Sequence, residues 1–128
     1  MPNQVTNIGG VLSAITTTVA YTDSSAVTIG TIPANSQIVD INIDVTTAFN
    51  AGTTNTMTVG KTGSAAAFVA STSVGSAGRA SVATTGVYSA WADSGSSEVT
   101  ATATFGQTGT AASAGAARVT IVYKSYAP

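Results

Sequence analysis

Apolar and polar residues alternate most regularly between Gln37 and Val45. Successive side chains of a strand point to opposite faces, so a period of two predicts an antiparallel strand with one buried and one solvated face. The acidic residues of this segment are therefore predicted to lie on a solvated sheet face. The apolar set is Val39, Ile41, Ile43 and Val45, and the polar set is Asp40, Asn42 and Asp44.

Weaker alternation predicts further short strands, separated by turns rich in Gly, Asn, Asp and Ser. One face of the first strand carries Ile15, Thr17, Val19 and Tyr21, and the second strand is marked by Val27, Ile29 and Thr31. The others lie around Met57 and Val59 and over 67–70, 87–91, 98–105 and 119–126. Residues 71–86 are small and carry no readable pattern.

About eight strands, with no helical pattern long enough to connect parallel strands, predict an all-β fold. We expect a single antiparallel β-sandwich of jelly-roll type over residues 15–128. Residues 1–14 are predicted to form an N-terminal arm, because Gly9 and Gly10 interrupt any period there. Such an arm either lies on its own domain or reaches a neighbour. Its apolar residues are Val5, Ile8, Val11 and Leu12.

Composition supports the all-β prediction. The 128 residues include 23 Thr, 14 Val and 8 Ile, but a single Leu. Branching at Cβ restricts side-chain rotation in a helix and suits the pleated surface of a strand. No apolar run approaches the roughly 20 residues of a transmembrane helix, and the first residues lack the basic and apolar regions of a signal peptide. We expect no membrane partner.

The chain has few charged residues and few side chains suited to catalysis or metal binding. Charged residues make up 7% of the chain, there is no His and no Cys, and the formal net charge is -1. A Ser-His-Asp triad, a Cys-His nucleophile and a Cys/His zinc site are therefore excluded. The chain offers no basic patch for phosphates, so nucleic-acid binding is not expected. No metal or other cofactor is expected either.

Three motifs have chemical interpretations that their context argues against. Asp40, Asn42 and Asp44 resemble the start of a calcium loop, but on a strand the two carboxylates would stand about 13 Å apart. The Gly60-Lys61-Thr62 sequence lacks the earlier glycine and the following helix of a phosphate loop, and it predicts a hairpin turn. Asp93 and Glu98 flank one turn as an acid pair, yet nothing beside them suggests a substrate site. We expect no enzyme and no catalytic residue.

Aromatic and basic residues are the remaining candidates for contacts. Trp91 and Tyr123 are predicted to be core residues, while Tyr126 belongs either to the core or to a contact. Arg79, in a predicted loop, is one of four cations and a candidate partner for a carboxylate of another subunit. The candidate partner-contact residues are Val5, Ile8, Val11, Leu12, Arg79 and Tyr126.

The surface itself indicates a subunit of an assembly. An isolated domain normally carries many charges that keep it dispersed. This chain has Thr, Ser, Gly and Ala instead, which lose little side-chain entropy when another subunit covers them.

Two stretches resemble small virion proteins of tailed bacteriophages. Residues 31–60 contain the sequences Ile-Pro-Ala-Asn, Val-Thr-Thr-Ala-Phe-Asn and Thr-Val-Gly, and residues 109–123 are similar to the last hairpin of those proteins. The resemblance implies a β-sandwich or jelly-roll capsid decoration (cement) protein, commonly trimeric, that sits on the major capsid protein. It transfers no functional residue.

The leading hypothesis is therefore a structural protein on the capsid surface of the virion, made in the cytoplasm of the host bacterium. Binding of the assembled shell alone would stabilise that state. One alternative is a tail, head-completion or fibre subunit, which copy number per particle would distinguish. Another is a carbohydrate-binding sandwich module, which would need an exposed aromatic platform, and the candidates for it are Trp91, Tyr88, Tyr123 and Tyr126.

Overall fold

The computed structural model describes residues 12–125, which contain eight strands and one helical turn. The strands are β1 (Ser13–Ala20), β2 (Val27–Ile32), β3 (Ser36–Thr47), β4 (Thr54–Lys61), β5 (Ser64–Ser73), β6 (Gly78–Ala80), β7 (Val99–Thr108) and β8 (Ala116–Ser125), and the helical turn is α1 (Tyr88–Trp91). No helix in this part of the chain is long and apolar enough to cross a membrane.

The strands form two four-stranded antiparallel sheets. Sheet A has the order β1-β8-β3-β6, and sheet B has the order β2-β7-β4-β5. Strand β1 thus pairs with β8, β2 with β7, β3 with β6 and β4 with β5. This is the pairing of one long hairpin wound into two layers, which is the jelly-roll arrangement. The all-β sandwich of about eight strands is confirmed.

The core lies between the inner faces of the two sheets. Sheet A contributes Val19, Ile41, Ile43, Val119 and Ile121, and sheet B contributes Met57, Val59, Ala101, Ala103 and Phe105. Each buried Val, Ile or Met side chain stabilises the fold by roughly 1.5–3 kcal/mol. In β7 the inward positions are alternate residues, Ala101, Ala103 and Phe105.

One end of the core is closed by two phenylalanines whose rings are in contact and tilted by 35°. The ring centroids of Phe49 and Phe105 lie 4.4 Å apart. Gly115, at φ 149°, passes so close to the Phe49 ring that a Cβ at this position would collide with it. Gly115 is therefore required both by its backbone conformation and by the close approach of the ring.

A β-bulge overturns one prediction for β3. The alternation is confirmed at Ile41, Ile43 and Val45, which are buried, but Val39 is 43% exposed and Ile38 is buried instead. The register with β8 shifts between Ile38 and Asp40, so Val39 is the extra residue. One inserted residue moves the preceding side chains to the opposite faces.

The second predicted strand is found with a bulge, and one further prediction is corrected. In β2 the register with β7 shifts between Thr28 and Gly30, so Ile32 is buried and Thr31 is exposed. Residues 87–91 do not form a strand, because α1 turns Trp91 into the core there. The residues before this turn run along β5, where the Ala70 amide donates to the Thr85 carbonyl (2.8 Å) and Gly86 pairs with Val69.

The domain boundary stays a prediction. Strand β1 begins at Ser13, and four of the proposed contact residues lie outside the described part of the chain. These are Val5, Ile8, Val11 and Tyr126.

Candidate interaction surface

The carboxylates of β3 lie on the outer face of sheet A and are engaged by arginines. Oδ2 of Asp40 lies 3.2 Å from Nη2 of Arg79, and Oδ2 of Asp44 lies 3.9 Å from Nη2 of Arg118. Within residues 12–125 no three acidic side chains are close enough together to hold a metal ion. Both carboxylates of the calcium-like sequence therefore face arginines, and Asn42 lies between them on the same sheet face.

The other two motifs shape turns. Strand β4 ends at Lys61 and β5 begins at Ser64, so Thr62 and Gly63 (φ 86°) form a tight hairpin turn with no helix after it. Backbone amides need a helix start or a comparable cradle to wrap a phosphate. In the second turn, Oδ1 of Asp93 accepts the amide of Gly95 (2.8 Å).

The aromatic residues near α1 are divided between core and surface. Trp91 is 6% exposed, and its indole N–H donates to the Phe68 carbonyl (2.9 Å), which confirms it as a core residue. Tyr88 is 52% exposed and packs edge-to-face on Trp91, with the ring centroids 4.6 Å apart. Tyr123 is half-buried and packs against the core. The platform required by a carbohydrate-binding module therefore loses Trp91.

The outer face of sheet A carries most of the charge. Five of the nine charged residues of the chain lie there, on β3, β6 and β8, and we name this surface the charged face. Asp40 also accepts the backbone amide of Ile41 through Oδ1 (2.9 Å), so its carboxylate covers part of the strand edge. The charged face consists of Asp40, Asp44, Arg79, Arg118 and Lys124.

Threonine dominates the outer face of sheet B along three of its four strands, β2, β7 and β4. The inward residues of β7 are Ala and Phe, so its outward positions are Thr or Gly, and the register places the outward threonines of β4 and β2 beside them. We name this surface the threonine face. It consists of Thr28, Thr31, Thr54, Thr56, Thr58, Thr100, Thr102, Thr104 and Thr108.

The three strands that form the threonine face contain one charged residue, Lys61 at the end of β4, and Glu98 directly precedes β7. The hydroxyls of this face partly bond to each other: Oγ1 of Thr54 and Oγ1 of Thr108 lie 2.6 Å apart. Oγ1 of Thr104 is buried, and it has no hydrogen-bond partner within the described residues. The face therefore presents methyl groups and hydroxyls that another surface can cover without removing a charge from water.

Two of the predicted contact residues can be placed. Leu12, directly before β1, is 55% exposed. Arg79 lies on β6, not in a loop, and its guanidinium faces Asp40 of the same chain. The two are not brought together, since β1 and β6 are opposite edges of sheet A.

Sequence reasoning missed the threonine face as one surface. A signal was present, because Thr100, Thr102 and Thr104 alternate with alanine. A period of two identifies one face of one strand, but strand pairing decides which other threonines join it.

The sequence matches no protein-family model and no curated protein. In structure the chain is similar to one described as "Cyanophage Pam1 capsid asymmetric unit", with a TM-score of 0.64 and 19% sequence identity. The match covers 90% of this chain and 85% of that chain, so the two have similar lengths. At this identity the likeness shows a shared fold.

Proposed function

We propose that this chain is a non-enzymatic structural protein of a bacteriophage virion, and specifically a capsid decoration (cement) protein that binds the major capsid protein. The observation that carries the proposal is the fold shared, over most of both chains, with a component of a phage capsid. The resemblance of residues 31–60 and 109–123 to small phage virion proteins supports it. The protein would be made in the host bacterium and act as a homotrimer on the capsid surface.

The threonine face is our candidate for the contact with the major capsid protein. Covering it removes no charge from water, whereas covering the charged face would require five ionised side chains to lose hydration. Thr also has a stiff, short side chain, so little rotational freedom is lost when the face is covered. The charged face would then point to solvent, where its charges oppose non-specific association.

Stabilisation of the shell would follow from mass action. A protein that binds the assembled shell but not its separated subunits favours the assembled state by its difference in affinity. At a free concentration 100 times the dissociation constant, each occupied site contributes about 2.7 kcal/mol. No catalytic step is needed for this activity.

The direct test is binding to capsids from which the decoration protein has been stripped. We expect the purified chain to sediment with such shells, to saturate at hundreds of copies per particle and to raise the temperature at which they break open. Saturation at only a few copies would favour the tail, head-completion or fibre alternative. No binding to shells of its own virus, by protein of verified fold, would refute the decoration role. The mass of the free protein in solution tests the trimer separately.

A further inference from the structure

The four edges of the two sheets differ in how well they are protected. A strand edge exposes unpaired backbone N–H and C=O groups that can pair with another chain, and proteins block such edges with charges, bulges, short strands or covering segments. Three of the four edges here are blocked in one of these ways. Along most of the fourth edge, β1, nothing within residues 12–125 blocks the backbone groups.

At the β6 edge, β6 has three residues and leaves much of the longer β3 uncovered. There the Val39 bulge distorts β3, and the Asp40 carboxylate bonds both Ile41 N–H and Arg79. In sheet B, β2 is interrupted by its own bulge. The β5 edge is covered by the segment before α1, through bonds from Ala70 to Thr85 and from Val87 to Phe68 (both 2.8 Å).

Within residues 12–125, strand β1 carries only one of these devices, the Asp23 carboxylate that accepts a hydrogen bond from the amide of its last residue, Ala20. Its eight residues pair with β8 in unbroken register from Ser13 opposite Tyr123 to Ala20 opposite Ala116. It contains no charged residue and no proline. Among residues 12–125, none pairs with its other side.

The free backbone groups of β1 can be assigned by parity. Tyr21 N–H bonds the Gly115 carbonyl on the β8 side, whereas both backbone groups of Ala20 are taken by Asp23 on the other side. Backbone groups in a strand alternate in direction. The groups of Ala14, Thr16 and Thr18 therefore point away from β8, and Asp23 closes the row at Ala20.

From this we infer that β1 is the contact site for β1 of a second copy of this chain, joined antiparallel about a two-fold axis. Such a contact is self-complementary, so each residue meets its own kind or a symmetry-related partner. In a contact between two copies of the same strand, each charge would meet a like charge, and β1 avoids this because it carries none. With Thr16 opposite Thr16 of the second copy, Ala14 lies opposite Thr18, and six backbone hydrogen bonds form. Sheet A becomes one eight-stranded sheet across both copies.

This contact does not depend on the capsid proposal. A two-fold contact cannot close a three-fold ring, so it is additional to the proposed trimer and would link one trimer to the next. On a shell, neighbouring subunits are held at high effective concentration, which favours a contact that is weak in free solution.

Cysteine crosslinking tests the pairing and its register, because the chain has no cysteine of its own. In the predicted register the Thr16→Cys variant places two thiols directly opposite each other, with their Cα atoms about 5.5 Å apart. In the Thr18→Cys variant, an equally exposed control on the same strand, the thiols are four residues out of register, roughly 13 Å apart. A thiol-to-thiol crosslinker shorter than that distance should join only the Thr16→Cys copies.

A mixture provides an internal check. Ala14→Cys and Thr18→Cys proteins should each fail to link alone and should link when combined. We expect most of the Thr16→Cys protein to run as a dimer in denaturing gels, and at least tenfold less of the Thr18→Cys protein. Equal linking of both variants would indicate random collision and overturn the inference.

Absence of a Thr16→Cys link, both in concentrated solution and on decorated shells, would also overturn it. The Thr16→Lys variant, which would put two like charges opposite each other, tests whether the β1 edge binds the capsid instead of a second copy. If it loses shell binding while the thiols never link, the β1 edge belongs to the capsid and not to a second copy. Shell binding by unlinked protein is scored separately, so failure of this inference leaves the decoration role standing.

Discussion

The threonine face and the charged face are the two outer surfaces of one sandwich. Both are built on antiparallel strands, but their side chains differ in charge and in polarity. The charged face holds two Asp-Arg pairs and Lys124, while the threonine face holds hydroxyls and methyl groups only. Their inner faces are alike, since both sheets present Val, Ile, Ala and other apolar side chains to one core. Folding therefore does not require the outer faces to differ. Under the proposed function, the threonine face meets another protein and the charged face stays in water.

The largest effect is expected when a charge is placed on the threonine face, as in the Thr58→Lys variant, and it should be a loss of shell binding. Thr58 is half-buried in the middle of the threonine face, opposite Thr104. A cation there must lose its hydration when the shell covers it, so we expect about 100-fold weaker binding, or ~2.7 kcal/mol. Sedimentation with stripped shells measures the loss.

The matched control is Thr120→Lys on the charged side. Thr120 is also half-buried, also outward and also on a central strand. Binding by this variant should stay within about threefold of the parent. Equal losses in the two variants, with both still folded by circular dichroism, would mean that the faces do not differ in function.

Sequence patterns predicted the inner faces well and the outer surfaces poorly. Ile41, Ile43 and Val45 were correctly placed in the core because burial imposes a period of two. Val39 was misplaced because a bulge is a property of two paired strands, and one strand carries no trace of it. The same limit applies to Trp91, whose spacing from Val87 suits a helical turn as well as a strand end.

The interaction surfaces needed topology as well. The outward threonines of β2, β4 and β7 are far apart in the sequence, and only the pairing order brings them to one face. Arg79 looked like a free loop cation, whereas β6 places it beside Asp40. The unprotected β1 edge likewise becomes evident only when the other three edges are known.

A second, smaller effect is expected from deleting residues 1–12, which precede β1 in the sequence. We predict that the sandwich stays folded, because both sheets and the core between them are formed within residues 13–125, while trimer formation or shell binding weakens about tenfold, or ~1.4 kcal/mol. Thermal unfolding and co-sedimentation measure the two consequences separately. Unchanged affinity for stripped shells and an unchanged mass in solution would show that the faces act without the arm.

A still smaller effect is expected from Arg79→Ala, which removes a cation from the charged face. The Arg79 side chain is 60% exposed and that of Asp40 is 44% exposed, so the ion pair should contribute less than about 1 kcal/mol to the free energy of unfolding. Asp40→Ala should cost more than Arg79→Ala, because it also leaves the Ile41 amide without its acceptor. Asp40→Asn, which keeps an acceptor oxygen, is the control.

Urea denaturation of these three variants measures the stabilities, and shell binding is measured on the same proteins. None of them should change shell affinity, since all alter the face that we expect to remain in water. If Arg79→Ala binds shells much more weakly while its stability is unchanged, the charged face is the one that meets the capsid, and the two roles are reversed.

The smallest effect distinguishes the faces without any substitution. Charges at a contact make binding depend on ionic strength, because salt screens them over about 10 Å at 0.1 M. A contact made through the threonine face should therefore change in affinity by less than about threefold when the salt concentration is raised tenfold from that value. The Thr58→Lys variant serves as the reference, since its cation should make binding depend on salt concentration, which binding by the parent does not. A steep fall in parent affinity with salt would instead assign the contact to Asp40, Asp44 and their arginines, because no other described surface of the sandwich brings so many charges together.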